Sequence, residues 1–148
     1  VFGLFVGCVG VLVALAVLVP VVARMGGIAG SQVLTLVIRG QALGHISSRN
    51  ITWLMNRELA VGFFNGLLWA FVIAVITFFW FDDLQLAWII GAAIIINFLV
   101  AALSGAALPI ILKRQNIDPA LAGGVLLTTI TDVVGFFAFL GLASIFYL

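Results

Sequence analysis

The sequence predicts an all-α integral-membrane protein, a bundle of transmembrane helices with four spans in this chain. Three observations predict it. Hydrophobic residues make up 66% of the chain and charged ones only 7%, mean hydropathy is +1.41, and the apolar residues fall in runs long enough to cross a bilayer. A soluble domain carries about 25% charged residues, because its surface must face water. Six basic and five acidic side chains cannot hydrate a globule of 148 residues, so lipid is the solvent for most of the surface. A membrane barrel would need alternating segments of about ten residues separated by turns, and none stands out.

A helix needs about 20 apolar residues to cross the hydrocarbon core. The first expected span covers residues 1–23, interrupted by Pro20. It opens on Val1 inside an apolar run, with neither a basic leader nor a small-residue cleavage site. The sequence therefore reads as a fragment that starts within its parent. Cys8, the single cysteine, sits in this run as an expected buried thiol and excludes an intrachain disulfide.

The segment from Arg24 to Arg57 is of another kind. It carries Gly26, Gly27 and Gly30, and its apolar piece Val33–Ile38 is too short to span. Glycines at this density break or bend helices, and bare backbone at membrane depth survives only against protein or water. A broken helix end, or a short helix along the inner interface, is expected after the first span. The second span covers 59–81, the third 84–112 and the fourth 120–148, the last opened by Asp118-Pro119 as N-cap and N1 proline. One transmembrane domain fills 1–148 and leaves no room for a soluble one.

The charges predict the topology. Arg24, Arg39, Arg49 and Arg57 lie between spans one and two, and Lys113 and Arg114 between spans three and four. The loop between spans two and three holds only Asp82 and Asp83. The positive-inside rule puts both basic loops in the cytoplasm and both Val1 and Leu148 outside. A net charge of +1 without a basic cluster gives no sign of a nucleic-acid partner.

Asp132 asks for a functional explanation. It lies near the middle of the fourth expected span, where an acidic residue costs about 2.5–3.5 kcal/mol on insertion scales. No Lys or Arg falls inside any of the four expected spans to pair with it. Thr128 is one helical turn earlier on the same face, and Gly124, a further turn back, leaves backbone carbonyls accessible. Carboxylate, hydroxyl and carbonyls along one stripe suit a hard cation. The plainer alternative is a protonated Asp132 hydrogen-bonded across a helix interface.

Three further cation candidates have ready structural explanations. Glu58 stands at a helix N-terminus, above the stripe Gly62, Asn65, Gly66 and Trp69, which reads as close packing. Asn97 belongs to a similar stripe with Ala101, Ser104 and Gly105, with pore lining as the lesser option. Asp118 is an N-cap, or else a cation site at the cytoplasmic mouth. His45 reads as a loop histidine with no ligand spacing around it. There is no phosphate loop, no nucleophile–base pairing and no second intramembrane acid for a protease, so neither an enzyme nor an organic cofactor is expected.

The order of motifs then points to a family. Pro20, Met25–Gln32 and Thr35–Gly40 come first, then Arg57-Glu58 and Gly62 to Gly66. Gly105–Pro109, Asp118–Ala120 and Leu127–Phe136 follow. In this order and spacing the chain resembles the MgtE magnesium transporter family over nearly its whole length. The resemblance implies five membrane helices per subunit, of which these would be the last four, and a homodimer with the pore between subunits. It also implies a bacterial inner-membrane location, a C-terminus outside, and cytosolic sensing domains ahead of the first helix, absent here.

The family's pore aspartate falls on Asp132, and its neighbouring ion-facing positions fall on Thr128 and Gly124. Two positions depart from the family pattern: Ile28 stands where Asn is usual, and Val125 where Pro is common. The expected function is transport of Mg2+ through a channel-like pore at a homodimer interface, the ion keeping most of its water. The alternatives are an exchanger coupled to Na+ or H+, and a non-conducting membrane anchor. An anchor would have little reason to keep a costly central carboxylate.

Overall fold

In hydrocarbon an unpartnered backbone N–H or C=O costs several kcal/mol, so long apolar runs close their hydrogen bonds within one segment and become helices. The computed structural model describes the backbone of residues 2–44 and 50–147 and the side chains of 13–44 and 50–146. The side chain of Cys8, together with His45 and Arg49, lies outside the described residues. Four helices follow one another: α1 (Phe2–Ala42), α2 (Ile51–Phe81), α3 (Leu84–Arg114) and α4 (Pro119–Tyr147). Each is long and apolar enough to cross a membrane, and no strand occurs among the described residues. The all-α integral-membrane fold class stands.

The helix ends are set by short polar turns. Asp82 takes a left-handed conformation (φ 52°) and closes α2, its N–H donating to the Phe78 carbonyl at 2.8 Å. Asp83 caps α3, its carboxylate accepting from the N–H groups of Gln85 (3.0 Å) and Leu86 (3.2 Å). Asp118 does the same for α4 through the Ala120 N–H at 3.0 Å, with Pro119 as the first helical residue. These contacts satisfy donors that a helix start leaves open.

The expected break after the first apolar run is absent. Helix α1 runs unbroken for 41 residues, through Pro20 and all the glycines. At about 1.5 Å per residue it is some 60 Å long, about twice the hydrocarbon thickness. Its glycines admit neighbours instead of breaking the helix. A Cβ at Gly30 would lie 2.9 Å from the Leu127 side chain of α4, and one at Gly26 would strike the Asn97 amide of α3.

Helix α3 is central, packed against α1, α2 and α4, while α1 also lies along α4. Gly62 and Gly66 of α2 approach Ala102 and Phe98 of α3, as expected for a small-residue packing stripe. Helices α1 and α4 are antiparallel. Leu34 meets Gly123, Gly30 meets Leu127, Gly27 meets Thr131 and Ala23 meets Gly135. This register sets the midpoint of α4 against the stretch Arg24–Gly27. Arg24 is therefore no loop residue; it sits at the depth of Asp132. The other described basic residues, Arg39, Arg57, Lys113 and Arg114, gather at the bundle end opposite Asp82 and Asp83. Arg57 stacks over the Trp53 ring, 5.4 Å from its centroid.

The tightest backbone approach gives a stability test. A Cβ at Gly105 would lie 2.7 Å from the Gly30 carbonyl oxygen, and neither backbone can yield cheaply. Gly105→Ala should destabilise the protein by about 1–3 kcal/mol, the usual range for overpacking. Gly141 has nothing within 4 Å of such a Cβ, so Gly141→Ala should be neutral or mildly stabilising, as alanine favours helix by about 0.5–1 kcal/mol. Thermal unfolding in detergent checks both, and equal effects would show that the α1–α3 approach is not close.

Candidate functional site

Helices α1 and α4 diverge on one side into an open groove of about 1000 Å³. From α1, the side chains of Arg24, Ser31 and Thr35 reach it at seven- and four-residue spacing, with Gln32 beside them. From α4 come Asp132 and Thr128. One turn separates these two, as the sequence predicts, and Asp132 is half-buried while Thr128 is exposed. Ile28 also faces the groove, within the α1 stripe. One of the two departures from the family pattern thus lies on the groove wall itself.

The other threonines of α4 are satisfied locally. Thr131 is buried against Gly27 and donates to the Leu127 (3.0 Å) and Thr128 (3.1 Å) carbonyls. Thr129, on an exposed face, donates to the Val125 carbonyl at 2.8 Å. Bonding back to its own helix lets a threonine sit in hydrocarbon without an open donor.

The remaining candidates lie elsewhere. Gly124 is on the exposed surface of α4, outside the groove lining. Asn97 is fully buried where α1, α3 and α4 meet, its Nδ2 donating to the Val22 carbonyl at 2.9 Å. It is held between Gly26 and Gly135 and does not reach the groove. Asp118 caps α4 at its first turn. Glu58 is in the early part of α2, which packs on α3, away from the α1–α4 side. The structure brings Asp132 and Thr128 together and leaves Gly124, Asn97, Asp118 and Glu58 apart from them.

Sequence reasoning missed the α1 wall. Arg24, Ser31 and Thr35 fall on a helical period, which was the available signal, but the intervening glycines pointed to a break. Among the described residues there is no cluster of three or more His, Cys, Asp or Glu side chains able to enclose a metal. The groove offers one carboxylate with hydroxyl and amide oxygens around it. Such a lining can hold a hydrated cation through its water and cannot strip the ion bare.

The fold and the groove define the class, an integral-membrane helical bundle with charged and hydroxyl side chains set in a largely apolar groove. Comparison with known families agrees: the model of the MgtE family, described as divalent cation transporter, matches residues 19–142. This chain belongs to the MgtE divalent cation transporter family. The magnesium transporter MgtE of Bacillus subtilis is 32% identical over 134 residues, which cover 90% of this chain and 30% of that relative. That of Thermus thermophilus is 34% identical over 132 residues, 89% of this chain and 29% of the relative. The Enterococcus faecalis protein of the same name is 29% identical over 132 residues. The chain spans about 30% of the length of these curated relatives.

Proposed function

We propose that this chain is a transmembrane domain of a Mg2+ transporter, in which the α1–α4 groove is one wall of the ion path. The observation that carries the reading is Asp132, a carboxylate near the middle of a helix long and apolar enough to span, on an open groove. A carboxylate at that depth is costly unless it serves an ion, a proton or a polar partner. Family membership favours the ion, and the named magnesium transporters among the relatives favour Mg2+. Mg2+ dehydrates reluctantly and is commonly held by one or two carboxylates with its water retained. A second copy facing the groove across a two-fold axis would close the path and supply the second carboxylate, with Thr128 ordering the ion's water. The protein would work as a homodimer without enzymatic activity or an organic cofactor.

The end bearing Arg39, Arg57, Lys113 and Arg114 would face the cytoplasm of a bacterial inner membrane, with the α4 C-terminus outside. The helices here would be the last four of five, preceded by further parts of the parent polypeptide. The test of function is Mg2+ uptake into proteoliposomes holding the whole polypeptide. Uptake no faster than into protein-free vesicles would overturn the transport reading. Single cysteines in a Cys8→Ala background test the rest. Position 83 should label from outside, and positions along α4 should cross-link pairs of chains. Labelling of position 83 from the cytoplasmic side alone would reverse the orientation, and full uptake by a strictly monomeric protein would rule out the shared path.

A further inference from the structure

Asp132 shares its groove with a fixed positive charge. Arg24 is the cationic residue and Asp132 the acidic residue of the lining, so the described wall carries no net charge. The α1–α4 contacts place Arg24 opposite position 133 or 134. That is at most two residues from Asp132, or about 3 Å along the axis at ~1.5 Å per residue. In the structure the two line the groove without an ion pair between them, and Arg24 is exposed to it. Both side chains line one groove, and the Arg24 side chain is long and exposed to it.

We propose that Arg24 is the resident counter-ion of Asp132. Its guanidinium occupies the carboxylate when no divalent ion is bound, and an entering ion must displace it, so Arg24 sets the Mg2+ concentration at which the path fills. The proposal rests on the reading of the groove as a cation path. Two opposite charges at one depth in a medium poorer than water in screening are each costly alone and attract strongly together. Guanidinium suits the task, since it stays charged and its planar fork matches a carboxylate. A divalent ion brings twice the charge and can outcompete it, whereas a monovalent ion has no such advantage. The residue thus acts on selectivity as well as on affinity.

The experiment uses the whole polypeptide with Arg24→Gln, Arg24→Lys, Asp132→Asn and the Arg24→Gln/Asp132→Asn double variant. Arg24→Gln should lower the half-saturating Mg2+ concentration for uptake about tenfold, within the range that coupled neighbours show. Arg24→Lys, which keeps a charge, should shift it less. Should the glutamine variant fail to fold, Arg24→Met repeats the measurement with an uncharged, apolar side chain. In EDTA, Asp132→Asn should lower the melting temperature more in the parent than in the Arg24→Gln background, and saturating Mg2+ should remove that difference. Unchanged half-saturation in a folded Arg24→Gln protein overturns the proposal, while Mg2+ uptake by the parent keeps the transport reading intact. If the parent takes up no Mg2+, the transport reading falls and the EDTA comparison decides the pairing: coupling supports it and additivity overturns it.

Discussion

Asp132→Asn should insert and assemble normally yet lose most saturable divalent-cation uptake. The substitution keeps the shape and the hydrogen-bonding capacity of the side chain and removes only its charge. Asp132 lines the groove at the midpoint of α4, at a depth where water screens less than in bulk. A site that loses even about 1.4 kcal/mol of ion stabilisation binds tenfold more weakly, and in the proposed dimer both carboxylates go at once. The variant should still fold, and melting curves separate a transport defect from misfolding. Asp132→Glu retains the charge on a longer arm and should keep part of the uptake with altered selectivity. Mg2+ uptake into proteoliposomes, read beside detergent melting curves, checks all three. Parent-like uptake by a well-folded Asp132→Asn protein would return Asp132 to the role of a packing group.

The largest structural effect is expected at Asn97. This residue is fully buried at the meeting of α1, α3 and α4, where its Nδ2 bonds the Val22 carbonyl and its Oδ1 has no partner among the described residues. Gly26 and Gly135 press on it from two sides, so the space has the shape of this one side chain. Asn97→Asp puts an acceptor, or a charge, where the donor was. An uncompensated buried charge costs about 3–5 kcal/mol, and the α1–α4 groove should lose its geometry as the junction opens. Asn97→Leu has nearly the same outline. It gives up one hydrogen bond, worth about 0.6 kcal/mol on average between membrane helices, and also removes the orphaned acceptor. Its loss should stay below about 1.5 kcal/mol. Unfolding in detergent distinguishes the two variants, and equal destabilisation would mean that shape, not polarity, governs the junction.

Much of this molecule can be read from hydropathy because lipid makes run length the dominant signal. An apolar run of some 20 residues has few fates other than a crossing helix, so the all-α class and the four helices follow from composition and spacing. The ends are equally local. Asp118-Pro119 can be recognised as a helix start from two residues, and the structure shows that cap. Asp132 and Thr128 stand out because a carboxylate in an apolar run is rare, and one helical turn puts them on one face.

The course of α1 is another matter. A glycine lowers the cost of breaking a helix and also lowers the cost of bringing a second helix close, and the local sequence is the same in both cases. Gly26 and Gly30 belong to the second case because Asn97 and Leu127, some 70 to 100 residues further along, fill the space beside them. Only that packing keeps α1 continuous through its glycines, turns Ser31, Gln32 and Thr35 into a groove wall, and brings Arg24 to the level of Asp132. Run length in lipid specifies which segments cross. Contacts between segments distant in the chain specify at what depth their polar residues meet, because helix register is a property of two surfaces and not of either one.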